Sequence, residues 1–227
     1  MAEPYRVAVY YAPAADDPLW RLGSAWLGRD AESGAPLARP DLPGLAAATA
    51  EPRRYGFHAT LKAPFIPRHG LEAFMRDAEA FAANRKPFPL PRLAVTWLDG
   101  FLALCPAAPC AALQSLADDC VRVFDTHRLA EDEAAQRRRG AGRPPRQREN
   151  IARWGYPLVF GDFRFHMTLT GRLGDDVYRE AAEAYFAPAL ARPRPVGALA
   201  IFIEPEKDAP FRLVRRLAFS SEAASTG

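Results

Sequence analysis

At 227 residues the chain is long enough for one large domain or two small lobes around a shared core, and with 49% apolar and 25% charged residues its composition is ordinary for a soluble globular protein. No run approaches the ~18 apolar residues that cross a bilayer, and the start, MAEPYRVAVYY, has neither the basic segment nor the apolar length of a signal peptide. Cys105, Cys110 and Cys120 are odd in number and lack CxxC spacing, so no membrane span, disulfide framework or zinc knuckle is implied, and a cytoplasmic protein is expected. The net charge is only +3, yet twenty-seven arginines stand against three lysines, Lys62, Lys86 and Lys207. Such a bias reads as codon composition, and it makes the lysine kept at position 62 worth noting.

Residues 5–11 are β-branched and aromatic and read as an opening strand. Asp16-Asp17-Pro18 then supplies cap chemistry and a first-turn proline, which predicts a helix through about Leu27. Residues 29–53, rich in Pro, Gly and Ala, read as loop with at most a short helix.

From His58 onward one pattern occurs twice. The strand carrying His-Ala-Thr-Leu is followed by a helix with Leu71, Phe74, Met75, Ala78, Phe81 and Ala82 on one face. Strand Leu93–Leu98, an Asp99-Gly100 hairpin turn and a strand over 101–105 complete the first copy. The second begins at His166-Met167-Thr168-Leu169, continues through a helix over 175–186, and ends with strands over 198–204 and 211–219. A helix over 108–125 and a charged stretch over 131–153 join them. The prediction is an α+β fold, a single bilobal domain over 1–227. Its two pseudo-symmetric lobes carry antiparallel sheets flanking a central cleft, with motif copies at about 55–106 and 157–220 and a linker at about 107–156.

On a strand, residues two apart share a face. His58, Thr60 and Lys62 therefore point one way while Phe57, Ala59 and Leu61 pack behind; His166, Thr168, Thr170 and Arg172 share a face backed by Phe165, Met167 and Leu169. Packing would favour an apolar residue at either histidine. An imidazole pair suits phosphodiester cleavage, because a neutral ring takes a proton from the attacking oxygen and a protonated one gives a proton to the leaving oxygen. Threonine hydroxyls can donate to non-bridging oxygens, and Lys62 and Arg172 can offset charge at phosphorus. The candidate catalytic residues are His58 and His166. The candidate phosphate-binding residues are Thr60, Thr168, Lys62, Thr170 and Arg172.

The paired FHATL and FHMTL strands, each followed by helix and hairpin, resemble the two-histidine (2H) phosphoesterase superfamily. RYGFHATLKAPF, RQRENIARWGYPLVF and FRFHMTLTG together are similar to an uncharacterised bacterial branch of it, encoded beside phosphonate-utilisation genes. The resemblance covers nearly the whole chain and carries the family motif onto His58, Thr60, His166 and Thr168; Lys62, Thr170 and Arg172 rest on strand alternation alone. It implies metal-independent hydrolysis of a cyclic phosphate without a cofactor, with a ribose cyclic phosphate from phosphonate breakdown as substrate. The alternatives are an RNA 2′,3′-cyclic phosphodiesterase or 2′–5′ RNA ligase-like enzyme, and a protein that only binds a phosphorylated metabolite.

Arg137-Arg138-Arg139 and RPPRQR make the linker basic, read as a solvated surface loop that could instead meet a phosphorylated substrate or RNA. Pro144-Pro145 predicts a helix start. Tyr10 and Tyr156 are candidate cleft-lining residues, although packing explains either tyrosine as well. His69 and His127 read as surface residues, and the four histidines show no HExxH-type metal spacing.

Overall fold

A computed structural model describes residues 3–220. The opening strand β1 (Arg6–Tyr11) is buried at five of its six positions, as befits an apolar run covered on both faces. In α1 (Pro18–Leu27) the Asp17 side chain accepts the Leu19 N–H at 2.8 Å, proline occupies the first turn, and Gly28 at φ 77 ends the helix. Two short helices, α2 (Leu45–Ala48) and α3 (Ala50–Tyr55), occupy the end of the stretch read as loop.

The first motif copy contains β2 (Ala59–Phe65), α4 (Gly70–Ala83), a short β3 (Phe88–Leu90), β4 (Leu93–Leu98) and β5 (Phe101–Pro106). Asp99 and Gly100, with φ of 48 and 96, make the left-handed turn that matches the twist of a two-residue hairpin. The linker is α5 (Ala111–Phe124), α6 (Glu133–Gly140) and α7 (Pro145–Trp154), so the basic stretch is helical rather than looped. The second copy is β6 (Met167–Thr168), α8 (Arg179–Leu190), β7 (Arg194–Val196), β8 (Ala198–Glu204) and β9 (Arg212–Ala218). Helix α8 starts four residues later than expected and runs past Pro188, which forfeits one backbone bond in the last turn.

Seven strands pair antiparallel in the order β4-β5-β6-β2-β1-β8-β9, and β3 and β7 form a separate ribbon. The half-sheets of the two copies are thus joined into one sheet through the pair Ala59↔Met167. Those residues occupy the same place in their copies, each directly after its histidine. The equivalent Pro89 and Pro195 also face each other in the ribbon. Both pairings put equivalent residues opposite one another, as a two-fold relation requires. The hairpins are exchanged: β5 of the first copy pairs with β6 of the second, α8 packs against β4, and α4 packs against β9. Symmetry breaks at β1, which stands between β2 and β8 and has no counterpart between β6 and β5.

The core brings the His strands into register. Phe57 stacks on Phe186, with ring centroids 6.4 Å apart, and a side chain on Gly23 would collide with the Phe57 ring at 2.3 Å. Trp26 Nε1 donates to the Leu169 carbonyl at 2.9 Å, tying the second His strand to α1. Full burial of each such aromatic or aliphatic side chain contributes on the order of 1.5–3 kcal/mol.

Candidate active site

The pairing of Ala59 with Met167 places the four motif residues. Continuing that antiparallel register by one residue sets His58 across from Thr168 and Thr60 across from His166, while fully buried Ala59 and Met167 point to the opposite face. His58 Nδ1 lies 2.9 Å from the Gly56 carbonyl and His166 Nδ1 lies 2.8 Å from the Arg164 carbonyl, each two residues back. A carbonyl only accepts, so each Nδ1 carries the proton and each Nε2 is the free nitrogen of the neutral ring. His58 Nε2 sits 3.3 Å from Thr60 Oγ1. Both histidines and both threonines line one cleft of about 860 Å³.

The local backbone accounts for this. Gly56 holds φ 82, and a Cβ there would meet the Ala31 Cβ at 2.5 Å, so only glycine fits at the carbonyl that orients His58. Burial pushes the His58 imidazole down to about 4; the Gly56 hydrogen bond opposes this and nearby His166 adds to it. Burial also lowers His166, against its bond to Arg164. Surroundings distinguish the two rings. Tyr10 on β1 stacks on His58 at 3.7 Å and 23°, whereas His166 meets, among the described residues, only the tilted Phe101 ring at 5.7 Å.

Lys62 is not in the cleft, which corrects the alternation argument. Tyr10 pairs with Thr60 but Val9 pairs with Lys62, so a bulge inserts one residue into β2 and turns Lys62 to the opposite face. There it is 3% exposed, with Nζ 2.7 Å from Asp125 Oδ1 and 3.3 Å from the Val121 carbonyl. Burial works against the Asp125 charge, but Arg128 and Lys62 together hold its carboxyl below the usual range.

Thr170 lines the wall, fully buried, and its Oγ1 accepts the Leu102 N–H at 3.0 Å, which leaves only its own proton to give. Arg172 also lines the cleft; its Nη1 donates to the Asp99 carbonyl at 2.7 Å. Tyr10 and Tyr156 both line it. His127 is not a surface residue: it is 5% exposed, with Nε2 2.8 Å from Asp77 Oδ2 and its ring against Phe74.

Sequence reasoning passed over Arg6, Tyr55 and Arg128 and named Arg139 only as part of the basic linker; all four border the cleft. All three of these arginines are engaged: Arg6 with Glu204 at 2.5 Å, Arg128 with Asp125 at 2.7 Å and Arg139 with Glu131 at 2.6 Å. Tyr55, three residues before His58, was readable from its place at the mouth of the motif strand. Arg139, inside a run of arginines, carried no signal of its own.

A protein family described only as a protein of unknown function, DUF1045, matches residues 60–212. The chain belongs to this family. Among curated relatives, it is 42% identical over 233 residues to the ribose 1,5-bisphosphate phosphokinase PhnN of Janthinobacterium sp. (strain Marseille), covering 96% of this chain and 51% of that one. It is 40% identical over 219 residues to the protein of the same description from Laribacter hongkongensis (strain HLHK9), covering 92% and 51%. The chain therefore spans about half the length of the curated relatives it matches. These matches agree with the phosphonate-associated branch that the sequence resembles. Among solved structures the DUF1045 chain is similar to E. coli LigT in apo form, at 16% identity and TM-score 0.46, covering 96% of this chain and 99% of that one. It is also similar to E. coli LigT complexed with 3′-AMP, at 15% identity and TM-score 0.44 with the same coverage.

Proposed function

We propose that the protein is a metal-independent 2H-type phosphodiesterase that hydrolyses a cyclic phosphate, with a ribose cyclic phosphate of phosphonate metabolism as its substrate class. The observation that carries this reading is the cross-strand set of His58, Thr60, His166 and Thr168, with both Nδ1 atoms anchored on backbone carbonyls. Support for a ribose phosphate comes from the names of the relatives.

Burial lowers the pKa of both rings and takes His58 down to about 4, so His58 is the ring that is neutral, and able to accept a proton, over most of the working pH range, and it is assigned the role of base. Its Nε2 takes a proton from water as the water oxygen bonds to phosphorus. The bond from phosphorus to one ring oxygen breaks, and that oxygen takes the proton of the His166 imidazolium. A phosphomonoester and a free hydroxyl result, with His58 protonated and His166 neutral, and proton exchange with solvent resets both. Thr60 and Thr168 donate to the non-bridging oxygens, and Arg172 supplies a cation at the cleft edge.

Purified protein with ribose cyclic phosphates and with a short RNA ending in 2′,3′-cyclic phosphate, in excess EDTA, tests the reading. Turnover of the sugar diester is expected, with His58→Ala and His166→Ala each lowering kcat at least ~100-fold while the protein stays folded. Near-normal turnover by either variant overturns the two-histidine mechanism, and activity lost to chelation and restored by a divalent ion overturns metal independence. Binding without turnover returns the protein to the class of metabolite binders.

A further inference from the structure

The wall of the cleft beside β1 holds groups that the hydrolytic step leaves unused. Tyr10 is 1% exposed, with its ring face on His58, and its hydroxyl borders the cleft while donating to no protein acceptor among the described residues. A buried phenol keeps such a position where water or a ligand meets it. Tyr55 and Tyr156 line the same cleft, and their hydroxyls likewise donate to no acceptor among the described residues. The Tyr10 and Tyr55 rings both neighbour His58, at centroid distances of 3.7 and 6.5 Å, and burial first, then Tyr55 and Tyr156, push the Tyr10 hydroxyl toward its protonated, donating form. Arg139, on α6, lines the cleft with one Nη on Glu131; burial raises the Tyr156 phenol, and the charges of Arg143 and Arg139 oppose that rise. A guanidinium offers five N–H donors, so that pair leaves others for an incoming anion. Arg172 sits by Asp99 at the opposite, β5 side of the histidines.

We propose that Tyr10, Tyr55, Tyr156 and Arg139 form a second anion subsite, which takes a phosphate monoester carried on the same sugar as the diester. This rests on the phosphodiesterase reading only for the diester half. Three neutral O–H donors with one cation suit a phosphate oxygen set, and an 860 Å³ cleft lies within the ~300–1,000 Å³ typical of small-molecule sites.

The test measures kcat/KM for two ribose cyclic phosphates that differ only in a 5-phosphate, with wild type, Arg139→Gln, Tyr10→Phe, Tyr156→Phe and Arg137→Gln. Arg137 shares α6 but pairs with Glu133 outside the cleft, so its variant serves as the control. Loss of one charged donor corresponds to ~10–100-fold. Arg139→Gln is expected to cost the doubly phosphorylated substrate at least ~10-fold more than the singly phosphorylated one. The Tyr10→Phe and Tyr156→Phe losses should be smaller but in the same direction, and Arg137→Gln should show no difference. Equal losses on both substrates, or none, overturn the subsite. If neither diester is turned over, the phosphodiesterase reading fails by itself and calorimetric titration of ribose 5-phosphate decides the subsite. Binding weakened at least ~10-fold by Arg139→Gln and not by Arg137→Gln upholds it; absent binding, or equal binding to all variants, removes it.

Discussion

In the proposed reaction His58 and His166 act from different surroundings, and the difference has a pH signature. The base must be neutral, so kcat/KM falls on the acid side only as pH drops toward the lowered value of about 4. The acid must be protonated, and burial has moved His166 below 6.5, so the other limb falls as pH rises through that lowered value. A kcat/KM optimum below pH 6.5 is expected from an ordinary pH–rate series, and an alkaline limb well above 7 would contradict His166 as the acid. The same shift affects stability. The folded pKa of His58 lies below the unfolded 6.5, so its contribution is complete above 6.5 and shrinks as pH falls toward 4. Water in the open cleft moderates that loss. Lys62→Met should act through stability rather than catalysis, lowering it by about 1–3 kcal/mol in denaturant melts because Asp125 keeps Arg128, with kcat little changed. Gly56→Ala should impair both, since it strains φ and displaces the carbonyl that aims His58. At this scale the histidines and threonines were legible because their chemistry is wrong for a packed strand. Lys62 was not, because a bulge depends on the partner strand's register and leaves no mark in alternation.

Elements set these residues in place, and the briefest of them matters most. Strand β6 is only Met167–Thr168, shorter than the run that suggested it, and the N–H groups of Leu169 and Thr170 both turn to the Leu102 carbonyl. The Trp26 indole bond to the Leu169 carbonyl is one of its few other ties. Trp26→Phe, which keeps the ring but orphans a buried carbonyl, should cost about 1–3 kcal/mol and loosen His166. Lower melting stability together with reduced kcat is the expected result, and a kcat unchanged beside a lowered melting point would separate α1 from the site. Helix α1 and the strands of both hairpins were readable from caps, turns and apolar periodicity. Helix α6 was not, since Arg137–Arg139 with few apolar partners looks the same solvated or laid over a cleft.

For the whole molecule, the duplicated strand–helix–hairpin order was readable, but the exchange of hairpins was not, because local pattern does not name a strand's neighbour. The cleft's arginines are few and mostly paired, so a shallow salt dependence of kcat/KM is expected with a ribose cyclic phosphate. Single-stranded RNA held by several backbone phosphates would instead steepen the slope by roughly 0.7 per contact. A steep slope together with a preference for RNA would replace the sugar reading with the RNA one.

Strand β1 is made first and finished last. It pairs with β8 in a register that joins Arg6 to Glu204, 198 residues away, so one of its edges stays open until that much more chain has left the ribosome. The central pair, Ala59 with Met167, also waits on more than a hundred residues of synthesis. Contacts of such separation make folding slow, and an apolar strand with an unpaired edge is an aggregation hazard in the meantime. Neither motif copy owns a complete set of sheet neighbours, so truncation before β8 should yield insoluble product rather than a working half.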